Sequence, residues 1–493
     1  MAKTSLYAAI IFCICTDTCL AYRFVGSESL SDALVAHHYS INDRLDAVIV
    51  VDPTMPTFEY HTYYAMGYAD EPEGEQGRLH FLEHIIAGMG SRPSGELNQL
   101  IMRNGGQHLA YTAHHMTYFT MRFPREKLAL AVEIDRDRFY RTLFDMEFID
   151  NEKQVVLTEL SRNSTRSRRR FSRQFWGLVY GREKFNGVGT AALIEGIKPG
   201  DLQQLFHNVL RRKRRLVVVI GDVDEDDVLT KLAEAFPAGD RKREDRSPLS
   251  RFPNPDALGE RYQTKFENLS KSRFRKAWHI PGPGHPDHAG FLVLASILVR
   301  RSNSLRSSLL DSQTVNSFSV WINGYKGFGL ISFVAEMDPV SSTEVIENAV
   351  LARLEDKKTH GVSENDLSAA RNSQLRRQYS EFYDRSDMAY RFGQAFAQAG
   401  DPLLYPRTIN QIQHVSSDDI PRIVREHLIE DNAITLAWTI KEPLLTGPDF
   451  FVLAIVVFVC GGTLFAIILA VRRRALKPIC NVADNEETRK YHY

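Results

Sequence analysis

The long middle of this 493-residue chain contains no cysteine. All five cysteines lie near the two ends, at Cys13, Cys15, Cys19, Cys460 and Cys480. Residues 20–459 therefore cannot form a disulfide or a cysteine–zinc site, whichever compartment they occupy. Any metal ion held by this part of the chain must be bound by histidine, aspartate or glutamate.

An excess of charge of either sign is also missing. The chain has 61 basic and 61 acidic residues, so its formal net charge is zero. This balance provides no overall attraction to nucleic acid, and we expect no nucleic-acid partner. Two arginine-rich runs, residues 166–173 and 211–215, are interpreted as solvated surface, with attraction of acidic peptides or anionic lipid as the alternative.

The two ends of the chain differ from the rest in hydrophobicity. Residues 1–21 have a lysine, a short apolar run and a small residue at Ala21, which is the order of a secretory signal peptide. An uncleaved membrane anchor is the alternative, and a lipoprotein signal through Cys19 is a weaker one. Residues 450–471 carry no charge and are long enough to cross ~30 Å of hydrocarbon as a transmembrane helix.

Three arginines, residues 472–474, follow the apolar run and predict that residues 472–493 form a cytoplasmic tail. The expected topology is a single-pass membrane protein whose ectodomain is periplasmic or extracellular. Within the ectodomain we predict an N-terminal domain at 22–236, a charged and proline-containing linker at 237–262, and a C-terminal domain at 263–446. Strand and helix patterns mix in both halves, so the predicted fold class is α+β.

Several segments have clear secondary-structure patterns. Residues 45–51, "LDAVIVV", predict a strand, and the segment at 60–70 is interpreted as its neighbour. Residues 109–123 alternate in part and predict one strand, and residues 124–143 predict a long helix. The adjacent His114 and His115 would face opposite ways on such a strand, so we expect no shared site for them.

The heptapeptide "RLHFLEH" contains two histidines four residues apart with a glutamate between them. On a helix, His80, Glu83 and His84 share one face, because steps of three and four residues return to that face. Two such histidines can bind one zinc ion, and Glu83 would lie beside it. The alternative is a chance match on an ordinary helix.

A second segment, "EKQVVLTEL", carries two glutamates seven residues apart. On a helix Glu152 and Glu159 form one stripe with Val155 and Val156. Valines favour burial, and buried carboxylates need a cation or hydrogen-bond donors, which a zinc site would supply. A half-exposed helix with solvated glutamates is the alternative.

Together the two segments resemble the inverted-zincin metallopeptidase family of pitrilysin, insulin-degrading enzyme and mitochondrial processing peptidase. His80-x-x-Glu83-His84 is similar to the signature of that family. The family's third ligand lies about 75 residues beyond the second histidine, which here is Glu159 (159 − 84 = 75). A supporting glutamate seven residues earlier matches Glu152. The resemblance extends over most of residues 40–440, including residues 187–206 and 217–228.

The resemblance implies one Zn²⁺ per chain, bound by His80, His84 and Glu159, with a fourth position left for water. Glu83 would then act as general base, and Glu152 would support the catalytic site by orienting a ligand histidine. Substrates of the family pair with a sheet edge inside a closed chamber, so peptides or unfolded protein segments are expected. The fold implied is two similar-sized α/β-sandwich halves.

The segment that holds the substrate backbone in this family departs from its usual pattern here. Leu109 stands where the family usually has asparagine, and Ala110 and Thr112 are retained. Substrate contacts are assigned to Leu109, Ala110 and Tyr111. An arginine–tyrosine pair that clamps the substrate has no clear counterpart: Arg377 with Tyr379 and Tyr383 with Arg385 are the candidates.

The sequence therefore predicts a zinc-dependent endopeptidase that works as a homodimer or as a heterodimer with a related subunit. The alternative is a non-catalytic relative that binds peptides or serves as a scaffold, which Leu109 favours. A generic single-span binding protein would need none of the four zinc-site residues. The "HPDH" turn at residues 285–288 is interpreted as a solvated loop rather than a metal site.

Overall fold

A computed structural model describes residues 21–42, 45–88, 92–93, 95–164, 167–181, 187–237, 255–266, 269–299, 304–338 and 341–440. All of these residues belong to one compact unit. The predicted signal peptide, except for Ala21, and the predicted transmembrane helix and tail lie outside the described residues and stay predictions. Within the described ranges, no helix combines the length and apolar character that crossing a membrane requires.

The unit contains two β-sheets, whose strands fall into two groups along the chain. The first group is β1 (Tyr22–Ser29), β2 (Val35–Ile41), β3 (Leu45–Val51), β4 (Thr57–Tyr64), β5 (Gln107–Thr112), β6 (Thr117–Pro124) and β7 (Arg215–Gly221). The second group is β8 (Glu260–Phe266), β9 (Ser272–Ile280), β10 (Ser317–Tyr325), β11 (Phe328–Met337) and β12 (Ala433–Ile440).

Helices separate the strands in both halves. Those before the second sheet are α1 (Arg78–Gly88), α2 (Glu96–Arg103), α3 (Leu128–Arg141), α4 (Met146–Ser164), α5 (Ser167–Tyr180), α6 (Ala191–Gly196), α7 (Pro199–Gln204) and α8 (Glu225–Ala235). The helices that follow the first strand of the second sheet along the chain are α9 (His288–Val299), α10 (Leu305–Asp311), α11 (Thr343–His360), α12 (Glu364–Ser380), α13 (Arg385–Ala399), α14 (Leu404–Gln413) and α15 (Asp419–His427). The predicted α+β architecture of two halves is confirmed.

The first sheet has the strand order β1-β2-β3-β7-β4-β6-β5. Strand β7 lies between β3 and β4, parallel to β3 and antiparallel to β4, so the prediction that β3 and β4 are neighbours is wrong. The central position is compatible with the burial of β7: every residue of this strand is buried, as in a strand that has a partner on each side and cover on each face.

The segment at 109–123 forms a hairpin rather than the one strand predicted. Strands β5 and β6 pair antiparallel, with Leu109 opposite Thr120 and Tyr111 opposite Tyr118. Residues 113–116 make the turn, and the Ala113 amide donates to the Met116 carbonyl at 2.7 Å. Strand β5 therefore becomes the outer edge of the first sheet.

The second sheet has the order β10-β11-β9-β12-β8 and contains antiparallel pairs except for β12 with β8. One of its faces packs against helices of its own half, including α9, α11, α12 and α15. Strand β8 begins at Glu260, inside the range predicted as a linker, and residues 238–254 lie outside the described part. The boundaries of the two domains stay predictions.

Each sheet is covered on its other face by a helix from the other half of the chain. Helix α13 packs on the first sheet, where Phe392 and Phe396 lie in one core with Val48 and Val218. Helix α5 packs on the second sheet through a cluster that includes Phe175 and the β12 strand. This exchange of helices joins the two halves and places α5 close to the edge strand β5.

Candidate metal centre

Helix α1 carries the predicted histidines, and its start is held by a buried carboxylate. Glu71 accepts hydrogen bonds from the amides of Gly77 at 3.0 Å and Leu79 at 2.6 Å. These amides would otherwise lack partners, and a negative charge at a helix N-terminus is favourable. Gly77 has φ of +92°, and a Cβ there would lie 2.7 Å from the Val188 carbonyl oxygen. The geometry thus requires glycine where the chain enters α1.

The three predicted zinc ligands converge in the structure. His80 Nε2 lies 3.8 Å from Glu159 Oε2, and His84 Nε2 lies 3.9 Å from the same oxygen. One ligand atom from each residue falls within 4.8 Å of the others. Helix α1 supplies both histidines from one face and α4 supplies the glutamate, and the two helices pack together.

The donor set of this cluster fits a zinc ion. Two imidazole nitrogens and one carboxylate oxygen are the ligands of a zinc site that keeps a fourth position open. Zinc–ligand bonds of about 2.0–2.2 Å place ligand atoms roughly 3.3–3.6 Å apart in a tetrahedral site. The separations of the two histidine nitrogens from the Glu159 oxygen exceed these by a few tenths of an ångström, within the reach of side-chain rotation.

Glu152 fixes the orientation of one histidine. The His84 Nδ1 donates to Glu152 Oε2 at 2.9 Å, which leaves Nε2 as the nitrogen that points at Glu159. Burial lowers the pKa of His84, but the hydrogen bond to Glu152 and the nearby carboxylates outweigh it and raise that pKa above its usual value. A carboxylate bound to the far nitrogen is the usual support of a ligand histidine.

Glu83 lies one turn of helix from His80 and does not belong to the converging trio. Burial raises its pKa to about 7, although a hydrogen bond from the Thr112 hydroxyl at 2.8 Å acts in the opposite direction. Burial together with the charge of His84 lowers the pKa of His80 to about 3, so this imidazole is neutral. A neutral imidazole is the form that binds a metal ion.

The strand β5 runs beside α1 and exposes alternate side chains. Leu109 is 66% exposed and Tyr111 is 55% exposed, whereas Ala110 is half-buried and Thr112 is buried against Glu83. Among the described strands, β6 is the one partner of β5, so the outer backbone of β5 has no strand beside it. The three residues assigned to substrate contacts therefore lie on a free sheet edge next to the site.

Two interpretations of the sequence need correction. Val155 is exposed while Val156 is buried, so the stripe with the glutamates is not uniformly packed. His114 and His115 lie in the β5–β6 turn, where both rings lie within 3.3 Å of the Tyr180 hydroxyl. The turn removes the alternation that would have directed them to opposite faces.

One candidate for the substrate-clamping arginine–tyrosine pair, Tyr383 with Arg385, has its arginine bound to the first sheet. Arg385 is half-buried and donates to Asp52 Oδ2 at 2.7 Å and to the Thr57 carbonyl oxygen at 2.7 Å. It thereby joins α13 to the first sheet, while the neighbouring Tyr383 is 91% exposed. Sequence reasoning offers no reason to expect this role for Arg385.

A second group of possible ligands lies in the other half but is already engaged. Asp287, Glu426 and His427 offer ligand atoms within 4.8 Å of one another. Asp287 accepts hydrogen bonds from Arg422 at 2.6 Å and from His427 at 3.1 Å, so its charge is already balanced. The "HPDH" turn is thus an ion-paired loop rather than a metal centre.

Two residues that shape the centre were missed as site residues by sequence reasoning. Glu71 holds the start of α1, and Thr112 holds Glu83. The acidic residue eight positions before Leu79 is a weak signal for a helix cap, because caps normally lie within three residues of the helix start. Thr112 depends on strand packing and has no local signal.

Comparisons with known proteins identify the family of this chain. Residues 48–176 match the model of the insulinase family, peptidase family M16, and residues 196–374 match the model named peptidase M16 inactive domain. The chain is a member of peptidase family M16, which includes pitrilysin and the mitochondrial processing peptidases.

Similar proteins of known name are distant in sequence. The zinc protease PqqE of Helicobacter pylori is 22% identical over 425 residues, which are 84% of this chain and 95% of that protein. The beta subunit of the mitochondrial-processing peptidase of Blastocladiella emersonii is 23% identical over 295 residues, which are 57% of this chain and 62% of that one. The crystal structure of a protease from Helicobacter pylori has a TM-score of 0.72 and 19% identity, covering 85% of this chain and 99% of that one. The fold is therefore that of this family.

Proposed function

We propose that this protein is a zinc-dependent endopeptidase that cleaves peptides or unfolded protein segments. The observation that carries the proposal is the convergence of His80, His84 and Glu159, with Glu83 beside them and outside the ligand set. A structural zinc site would need a fourth protein ligand, whereas three ligands and a separate carboxylate suit hydrolysis. Zinc proteases among the relatives support the same reading.

His80, His84 and Glu159 would hold the zinc ion, one per chain. When bound, it supplies a Lewis acid that polarises a peptide carbonyl and increases the acidity of water. Glu83 then acts as the general base, taking a proton and passing it to the leaving amine. Thr112 holds the Glu83 carboxylate toward the site, and Glu152 keeps the His84 ring in one orientation.

The edge strand β5 would position the substrate. Its outer backbone groups can pair with an extended peptide, as in other proteins that add a strand to a sheet edge. Leu109 and Tyr111 project from the exposed face and would contact side chains of that peptide. This mode of binding requires an unfolded segment, because a folded substrate has no free strand to offer.

The second candidate function is a non-catalytic subunit that binds peptides or serves as a scaffold. Leu109 favours it, because leucine cannot make the side-chain hydrogen bond expected at that position in the family. Residues 196–374 match a family model described as an inactive domain, and this description is compatible with a non-catalytic role. The complete zinc trio and Glu83 favour the enzyme.

Assembly and location form part of the proposal. One relative is named as the beta subunit of a peptidase, which supports pairing of this chain with a like or related subunit. We keep the prediction of a single-pass membrane protein with its peptidase part periplasmic or extracellular. It depends on residues 1–21 and 450–471, most of which lie outside the described part.

The test is cleavage of a quenched-fluorescence peptide library by the purified full-length protein and its Glu83→Gln variant. We expect turnover that requires zinc in the wild type and a loss of at least about 10³-fold in the variant. Both proteins should bind zinc equally, which shows that the variant loses its base and not its metal. Zinc binding without turnover in the wild type would reject the enzyme and favour the scaffold.

A further inference from the structure

Helix α5 and the residues just before it carry charge of one sign only. From residue 161 to residue 180 there are six arginines and no aspartate, glutamate or lysine. Two of the arginines hold α5 to the second sheet: Arg168 donates to Glu336 at 3.1 and 2.8 Å, and Arg170 lies over the Trp438 ring at 5.8 Å. These two guanidinium groups therefore contribute to the packing of α5 on the second sheet.

Arg169 and Arg173 lie on a different face of α5. Together with Trp176 and Tyr180 they follow steps of four, three and four residues, which form one stripe on a helix. The Trp176 ring lies 4.5 Å from the ring of His114, and the Tyr180 hydroxyl lies 3.2 Å from His114 Nδ1. His114 follows the end of β5, so the stripe is turned toward the edge strand.

The charges of Arg169 and Arg173 are not neutralised by the described residues around them. No carboxylate of the described part of the chain forms an ion pair with either guanidinium. Partial burial, together with the like charge of Arg170, lowers the pKa of Arg173. Burial and the Glu83 carboxylate raise the pKa of Tyr111 on β5, and Arg169 opposes that rise, so its field reaches the edge strand.

The spacing of the two arginines matches that of side chains on an extended peptide. Four residues of α-helix separate Arg169 from Arg173, a rise of about 6 Å. In an extended strand, residues i and i+2 point to the same face and lie roughly 6.6–6.8 Å apart. One carboxylate can therefore pair with each guanidinium when two acidic residues are separated by one other residue.

We propose that Arg169 and Arg173 form a subsite for acidic side chains of the peptide that pairs with β5. The favoured substrates carry two aspartates or glutamates, separated by one residue and close to the bond that is cleaved. The inference rests on the proposed function, since it names the substrate class of the same site. A peptide is favoured over a lipid surface because the stripe is turned toward the edge strand β5, whose Thr112 holds Glu83.

The test uses the full-length protein and two matched quenched peptides, one with Glu-x-Glu near the cleaved bond and one with Gln-x-Gln. We expect the wild type to prefer the acidic peptide about 3- to 10-fold in kcat/KM, mainly through KM, as two partly exposed ion pairs allow. The ratio should approach one in Arg169→Gln/Arg173→Gln and at an ionic strength of about 0.5 M. The control Arg425→Gln, an exposed arginine on α15, should keep the wild-type ratio.

The outcomes separate this inference from the proposed function. Equal cleavage of both peptides by the wild type would overturn the subsite and leave the peptidase intact. Absence of any cleavage would reject the peptidase. Binding of the labelled peptides, measured by fluorescence anisotropy, would then test the subsite. Tighter binding of Glu-x-Glu that the double variant loses supports the subsite, and equal binding overturns it. A double variant that loses binding to phosphatidylglycerol vesicles but keeps the peptide preference would also overturn it.

Discussion

Thr112 donates a hydrogen bond to Glu83 across 2.8 Å, so the edge strand β5 holds the carboxylate next to the zinc ligands. The same strand thus has two roles in the proposed mechanism: its outer backbone pairs with the substrate, and its last residue orients the base. A change in the position of β5 would therefore move the Glu83 carboxylate.

Replacing Thr112 by valine keeps the shape of the side chain and removes the hydrogen bond. We expect kcat to fall about 10- to 100-fold, since hydrogen bonds to charged groups contribute about 1.5–3 kcal/mol. Zinc affinity should stay near that of the wild type. Thr120→Val on the neighbouring strand is the control, because the contact of Thr120 with the Leu109 carbonyl oxygen is long, at 3.5 Å. A wild-type kcat in Thr112→Val would remove Thr112 from the mechanism.

Glu152→Gln tests the support of His84 without reference to catalysis. The glutamine can still accept the hydrogen bond from His84 Nδ1, but its neutral amide no longer increases the basicity of the ring. We expect zinc affinity to fall about 10- to 100-fold, measured by competition with a chelator. Glu147→Gln, at an exposed position on the same helix, should bind zinc as the wild type does. Equal affinities in the two variants would contradict the assigned role.

The ion pair between Asp52 and Arg385 joins the first sheet to α13, and we expect Asp52→Asn to lower the free energy of unfolding by about 2–4 kcal/mol. Arg385 would keep its carbonyl acceptor at Thr57 but lose its counter-ion. Urea denaturation followed by tryptophan fluorescence at neutral pH measures the change. Asp227→Asn removes an exposed helical pair with Lys231 and should cost less than about 0.5 kcal/mol.

The same pair should make stability depend on acid. Burial raises the pKa of Asp52, but the hydrogen bonds from Arg385 and Thr54 outweigh it and hold that pKa below its usual value of 3.8. A depressed pKa in the folded state contributes stability that is complete above pH ~4–5 and is lost as the pH falls through the folded pKa. The difference between the wild type and Asp52→Asn should therefore shrink below pH ~4, and a constant difference down to pH 3 would contradict this.

Alanine substitutions at Gly74 and Gly77, which both precede α1, distinguish the cost of backbone strain from the cost of a steric clash. Both have a positive φ, but a Cβ at Gly74 meets nothing within 4 Å, whereas one at Gly77 meets backbone at 2.7 Å. We expect Gly74→Ala to cost about 1 kcal/mol of unfolding free energy from backbone strain alone. Gly77→Ala should cost about 2–4 kcal/mol and weaken zinc binding, because the start of α1 must shift. Equal stability of the two variants would show that the contact relaxes without cost.

Local patterns were sufficient for the parts of the site that lie on helices. The spacing of His80, Glu83 and His84 predicts a shared face because the helical period is a property of the backbone itself. The same argument holds for Glu152 and Glu159 on α4, and the structure brings both segments together. Residues 45–51 could be assigned as a strand because their last five residues, 47–51, are an unbroken apolar run.

Contacts between distant segments could not be predicted from local sequence patterns. The insertion of β7 between β3 and β4 depends on which strand best fills a buried position, and residue patterns do not record that choice. The roles of Glu71, Thr112 and Arg385 depend on which backbone or carboxylate comes to lie beside them.

The sequence by itself determined which residues can bind a metal ion, since it excludes cysteine over residues 20–459 and places two histidines and a glutamate at helical and family spacing. Only the tertiary structure decided how these residues are held. The hairpin that makes β5 a free edge, and the exchange of α5 and α13 between the two halves, bring residues far apart in the chain into contact. The reason is physical: helical periodicity acts over a few residues, whereas burial of both faces of each sheet is satisfied by the whole chain at once.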